Sequence, residues 1–400
     1  MSTLTSPVES SAARRAPRGP TKVFKGHTDT VMSVAYFPGG QHIASGSHDK
    51  TVIIWDLESG RQDGQPLQHD SSVEWIAISP DGRRIASGSQ EGGLVMWDAP
   101  TRKVVREIKG GGVDRVAYSP DGRWIATASW ENEGVVRLWD ADTGRLEVLK
   151  CGGDVLCVAF SPDGSRIAVG LGDGFQVIDV ATGKSVVGPI EGHTDWVKSV
   201  VYSPDGRLLV TGSHDNSIRV WDSKTGVEVG KPMLGHEDWV FCISVTADGR
   251  RIASAGGDYT VRVWDLETRL QVGHSFEADY LVQSVAFSPD DRHIISGNGD
   301  DVCLWDTGSL AIQGSSSPPT ANKKNPPVRA RARSVTSSIL DLSAIPEPVV
   351  PHQDDSSSSE SERSRGSSFD SILDLPAVAR IANDLPPVRS LALSTRSQHS

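Results

Sequence analysis

Two His-Asp pairs, His48-Asp49 and His214-Asp215, are the residues of this chain that most resemble a chemical device. An imidazole beside a carboxylate is how many hydrolytic sites hold a metal ion or a proton. Each Asp, however, stands six residues before a tryptophan, Trp55 or Trp221, and that fixed offset marks a structural turn rather than a site. Gly183-Lys184-Ser185 imitates the end of a phosphate-binding loop, but the position that needs the first glycine holds Ile178. The four cysteines (Cys151, Cys157, Cys242 and Cys303) contain no Cys-x-x-Cys pair. Cys157 and Cys242 are expected to pack as small apolar residues, and Cys151, nearer a loop, is read the same way in preference to a redox thiol. No Ser or Cys recurs with a base beside it outside a repeating pattern, so catalysis, metal binding and a cofactor are all unexpected.

The elements that carry these residues must explain an odd composition: 400 residues, 37% apolar, with 11 Trp against 5 Tyr and 8 Phe. No run approaches the roughly 18 to 20 apolar residues of a membrane helix, and no signal-like stretch opens the chain, so no membrane association is expected. The cysteine usage suits a reducing compartment, the cytoplasm first and the nucleus second. The net charge of −11 divides into +2 over residues 1–20, −14 over 21–314 and +1 over 315–400. So acidic a middle segment argues against a nucleic-acid partner.

The tryptophans are spaced. A phrase beginning HTDTVMSVAYFPGGQHIASGSHDKTVIIWD at His27 recurs seven times, closing at Trp55, Trp97, Trp139, Ile178, Trp221, Trp264 and Trp305. The intervals are 42, 42, 39, 43, 43 and 41 residues, one four-stranded blade each. Within a unit, VMSVAY alternates like a half-buried strand, Pro-Asp-Gly supplies a tight turn, and RRIASGS and TVIIWD follow as the next strands. A lone blade cannot bury both faces, so the blades must stack around a channel.

These phrases resemble the WD-repeat family over residues 21–314, and especially the regular repeat arrays of fungal and bacterial signalling proteins. The resemblance implies an all-β, seven-bladed propeller, monomeric, acting as a protein-binding scaffold. It also implies a buried tetrad of His, Ser or Thr, Asp and Trp: His27, Ser45, Asp49 and Trp55; His193, Thr211, Asp215 and Trp221; His236, Ser254, Asp258 and Trp264. Blade two has Glu91 in place of Asp, blades three, four and seven lack the His, and blade four lacks the Trp. Blades three and four are therefore expected to be the least protected in hydrogen exchange. Ring closure falls to Thr21–Lys25 or to Ser309–Gln313, and the sequence leaves both open.

Partners of the family often dock on the rim formed by the loops that open the first strand and join the second to the third. Aligned units put Thr30, Ser72, Gly112, Asp154, Trp196, Trp239 and Leu281 in one column there. Met32, Glu74, Asp114, Leu156, Lys198, Phe241 and Gln283 form a second. Trp196, Trp239, Phe241 and Tyr280 thus become the candidate partner-binding residues, with Trp130 in blade three a second candidate. Acidic neighbours Asp195, Glu237, Asp238 and Asp279 call for a partner with basic or mixed apolar-basic docking groups. A substrate receptor of a ubiquitin ligase is the main alternative, although the Trp-Asp-x-Arg box many of them carry is absent. A propeller enzyme with a channel active site is the alternative from another class.

Residues 1–20 and 315–400 are too poor in apolar residues to fold and read as disordered. The latter contains SILDLSAIP from Ser338 and SILDLPAVA from Ser371, a duplication suggestive of two docking motifs, with basic residues preceding Ser334, Ser367 and Ser368 as kinase sites would have them.

Overall fold

The computed structural model describes residues 19–129 and 134–310. The tail with its duplicated motifs, nearly all of the N-terminal segment, and Trp130 lie outside the described residues. Seven antiparallel sheets follow one another along the chain. In blade five the strands are Val197–Tyr202, Leu208–Ser213, Ser217–Asp222 and Met233–Leu234; in blade six, Val240–Val245, Arg251–Gly256, Thr260–Asp265 and Phe276–Glu277.

The second strand of each blade is covered on both faces and is built of small residues for that reason. A Cβ on Gly212 would lie 2.8 Å from a methyl of Val240 in the next blade, and one on Gly46 would lie 2.7 Å from Val73. Only glycine admits so close a neighbour. Near the channel the blades are also stitched by serines: Ser33 accepts from the Ile76 amide, Ser199 from Ile243, Ser244 from Phe287 and Ser284 from Val34. These are first-strand residues of adjacent blades, and the last pair joins blade seven to blade one.

Each closing aromatic packs in a cluster with the outer strand of the preceding blade. Leu67 joins Trp97, Met233 joins Trp264, and Phe276 lies with its ring centroid 5.3 Å from Trp305. Where blade four has Ile178, Leu149 of blade three still covers it. Closure is made by the N-terminal segment: Lys22–Lys25 pairs antiparallel with Asp301–Asp306, with Phe24 opposite Val302. Phe24 is 1% exposed and sits 5.9 Å from Trp55 of blade one, so this strand completes blade seven and also caps blade one. Of the alternative segment Ser309–Gln313, Ser309 ends a short 3₁₀ turn (Thr307–Ser309), and residues 311–313 lie outside the described residues.

In blades one, five and six a buried imidazole spans three strands. His27 Nδ1 donates to Asp49 (2.7 Å), its Nε2 accepts from Ser45 Oγ (2.7 Å), and Ser45 Oγ accepts from Trp55 Nε1 (2.8 Å). The corresponding distances are 2.8, 2.7 and 2.8 Å for His193 with Asp215, Thr211 and Trp221. They are 3.0, 2.6 and 2.8 Å for His236 with Asp258, Ser254 and Trp264. Burial alone would raise the Asp215 and Asp258 carboxyls; the imidazole and the hydroxyl of Ser217 or Thr260 outweigh it and hold both well below the usual range.

Blade two shows what replaces the tetrad. Trp97 still donates to Ser87 (2.8 Å), but the left-handed residue of the turn moves from the position of Lys50 in blade one to Gly93, pressed against the Ile108 carbonyl. His69 remains buried, with its Nε2 unpartnered among the described residues.

Candidate functional site

Antiparallel strands alternate ends, so the Ser-Pro-Asp-Gly turns lie on one face and the loops carrying Trp196 and Trp239 lie on the other. The tetrads hold those loops. Asp215, already bonded to His193, accepts the Thr194 amide at 3.1 Å, and Asp258 accepts that of Glu237 at 3.1 Å. The next residue then fixes the tryptophan: Asp195 accepts the Trp196 amide at 2.7 Å, and Asp238 accepts the Trp239 amide at 2.8 Å. Carbonyl oxygens complete the loops, with His214 N donating to Trp196 O (2.9 Å) and Gly257 N to Trp239 O (2.8 Å).

Between the two indoles lies His214. Its ring is stacked on Trp239 at 4.3 Å between centroids with 9° between planes, and on Trp196 at 5.8 Å and 27°. Phe241 closes the group edge-on, 5.7 Å from His214 and 6.1 Å from Trp239. Burial, then the nearby Lys198 charge, push the His214 imidazole down to about 4, so it is neutral at physiological pH. A neutral imidazole between indoles leaves the stack apolar. Trp196 is 52% and Trp239 47% exposed, so each shows roughly half its surface to solvent.

Inward of this stack is the mouth of the central channel, a cavity of about 180 Å³ lined by every residue of the second column from Met32 to Gln283. Lys198 stands at its edge, with Nζ 5.9 Å from the Trp196 ring centroid. Burial, then the Arg115 charge, lower its ammonium to about 8. Arg115 is itself stacked on Trp75 at 4.1 Å and bonded to the Asp114 carbonyl at 3.0 Å. Glu74 pairs with His48 at 3.2 Å, which raises that imidazole, while Asp114 accepts from Gln90 at 3.0 Å.

The structure thus brings together Trp196, Trp239 and Phe241 but not Tyr280. Tyr280 is exposed and leans over Gly299 of its own blade, making no ring contact with the cluster among the described residues. Trp130 lies outside the described residues. His214 was absent from the sequence candidates, being considered only with Asp215. The fold takes that pair apart: Asp215 faces the tetrad and His214 the next blade. A signal was present, because His48 and Gln90 hold the matching positions of blades one and two and reach Glu74 and Asp114 of the following blade in the same manner. Cys151 is half-buried, and burial pushes its thiol up to about 11, which leaves it protonated.

A closed ring of seven sheets, each sealed against the next by a closing tryptophan or, in blade four, by Ile178, defines a seven-bladed β-propeller. The chain belongs to the family described as WD domain, G-beta repeat, whose model matches residues 18–56, 64–98, 102–140, 145–175, 184–222, 228–265 and 267–306. It is 26% identical over 212 residues to the nuclear distribution protein PAC1 of Arthroderma otae, covering 52% of this chain and 39% of that protein. Over 39 residues it is 56% identical to the ribosome biogenesis protein BOP1 homolog of Drosophila virilis, covering 10% of this chain and 5% of that one. The chain therefore matches well under half the length of either relative.

Proposed function

We propose that this propeller is a non-catalytic protein-recognition module whose docking site is the rim of blades five and six. The observation that carries the reading is the Trp196–His214–Trp239 stack, half-exposed on loops pinned by the tetrads beneath it. Large aromatics held rigid before binding lose little entropy when a partner covers them, which is why such groups dominate interface energetics. Exposed Asp195, Glu237 and Asp238 stand on the same loops as the two tryptophans, Asp279 on the loop that opens the next blade, and together they favour basic groups around an apolar centre in the partner. The residues that suggested hydrolytic chemistry are engaged elsewhere, Asp49 and Asp215 in tetrads and His48 and His214 between blades.

The test is affinity capture with the intact protein and with a Trp196→Ala/Trp239→Ala double variant, both checked for an unchanged melting curve. Proteins retained by the first and lost by the second support the rim as the docking site. Identical sets of captured proteins move the binding surface off this rim.

A further inference from the structure

Among the described charges at the channel mouth, one is engaged by no hydrogen bond or ion pair. Glu74 is paired with His48, Asp114 accepts from Gln90, and Arg115 is fixed by its own backbone bond and by Trp75. Lys198 makes no hydrogen bond or ion pair among the described residues; its contact is the distant face of Trp196. It is nonetheless half-buried, in a wall shared with Leu156, Phe241 and His214. A cation so placed has lost hydration while Glu74 and Asp114 act on it only at a distance, so its ammonium protons stay unused in a way that a ligand can relieve.

Resting on the rim reading above, we infer that Lys198 receives a side-chain carboxylate, from an Asp or Glu set among apolar residues of the docked partner. The mouth has room for such a group, since its cavity of about 180 Å³ exceeds the volume of a carboxylate and its methylene stem. A doubly charged phosphate fits less well, because the Glu74 and Asp114 carboxylates also face this space. The aromatic stack would then cover the apolar residues on either side, while the outer acidic residues meet basic groups further along. Sequence alone pointed to basic docking groups; the channel mouth adds an acidic one at the centre.

Linear peptides displayed on phage, with no free C-terminus, should be selected on the immobilised full-length protein and the best resynthesised with a fluorophore. The expected binders carry an Asp or Glu between apolar residues, and its replacement by Asn or Gln weakens binding to the unaltered protein by about tenfold or more. The same replacement should have little effect on binding to Lys198→Met, and Lys198→Arg, which keeps the charge, should preserve the discrimination. The arginine variant also carries the test if the methionine variant melts early. Binders lost with Trp196→Ala/Trp239→Ala but lacking an acidic residue, or indifferent to Lys198→Met, overturn the carboxylate site and leave the rim standing. Binders unaffected by the double alanine variant, or no binders at all, overturn both.

Discussion

His214 lies flat on Trp239, 4.3 Å between ring centroids and 9° between planes, although 25 residues of sequence and a blade boundary separate them. The contact ties the loop between the second and third strands of blade five to the loop that opens blade six. It makes a surface feature out of two repeats, neither of which carries it alone.

Removing the ring should loosen both loops. Aromatic contacts of this kind are worth about 0.5–1.5 kcal/mol each, less when half-exposed. His214→Ala is therefore expected to cost about 1 kcal/mol in urea unfolding and to weaken partner binding, while His214→Phe restores both. Equal behaviour of the two variants would show that the stack is incidental.

The tetrads should matter far more to stability. Trp264 is buried against Met233 and donates to Ser254, so Trp264→Ala is expected to cost about 3–5 kcal/mol. Asp258→Ala strands the His236 imidazole and frees the Glu237 amide, and so should lower both the melting temperature and the affinity of the rim. A loss of stability with unchanged binding would separate the two roles assigned to this network.

Closure makes a third prediction. Phe24 is buried between blades seven and one, and Phe24→Ala should destabilise the whole ring by about 3–5 kcal/mol in a single transition. Deletion of residues 1–25 should do at least as much. A melting temperature unaffected by the deletion would transfer closure to another segment.

Acid should weaken the fold in two stages. Burial lowers the His27 imidazole, and burial with the Lys198 charge brings His214 to about 4, both below the free value of 6.5. With folded values depressed, the unfolded chain binds protons first as pH falls. His48, which Glu74 raises, works the other way, but the depressed His27, His69 and His214 outnumber it, so stability declines from about pH 6.5 toward pH 4. The depressed Asp215 and Asp258 carboxyls extend the loss below their free value of 3.8. Urea midpoints measured from pH 8 to pH 4 should be flat and then fall; a rise on acidification would contradict these assignments.

Hydrogen exchange should be fastest in blades three and four. Blade four has neither the imidazole nor the indole, and blade three lacks the imidazole while keeping the bond from Trp139 to Thr127, at 3.0 Å. Amides of Arg166–Gly170 are expected to exchange before those of Leu208–Ser213, and uniform rates would refute the ranking.

The blades were legible because one phrase, with its Trp-Asp close, sets strand, turn and inter-blade contact together, and seven copies leave little freedom in how they assemble. The candidate site was only partly legible. Trp196, Trp239 and Phe241 follow from column alignment, since equivalent positions in adjacent blades must be neighbours. His214 did not, because the direction of its side chain depends on packing against the next blade, which no local pattern records. Tyr280 stands apart from the stack for the converse reason: it lies one residue before the aligned column, and that offset turns its ring toward Gly299. Closure required knowing which of two short segments finds an open edge, and the burial of Phe24 against Trp55 supplies the physical reason that the N-terminal one does.

A protein partner covering the rim of blades five and six would lie against Trp239 and away from Lys224, which sits on the opposite face. A photo-crosslinking amino acid is placed at position 239 and, in a second variant, at position 224, and each is irradiated with a captured partner bound. A covalent adduct formed from position 239 and not from 224 is the predicted result. Crosslinking from 224 alone, or equally from both, would contradict the assignment of this face.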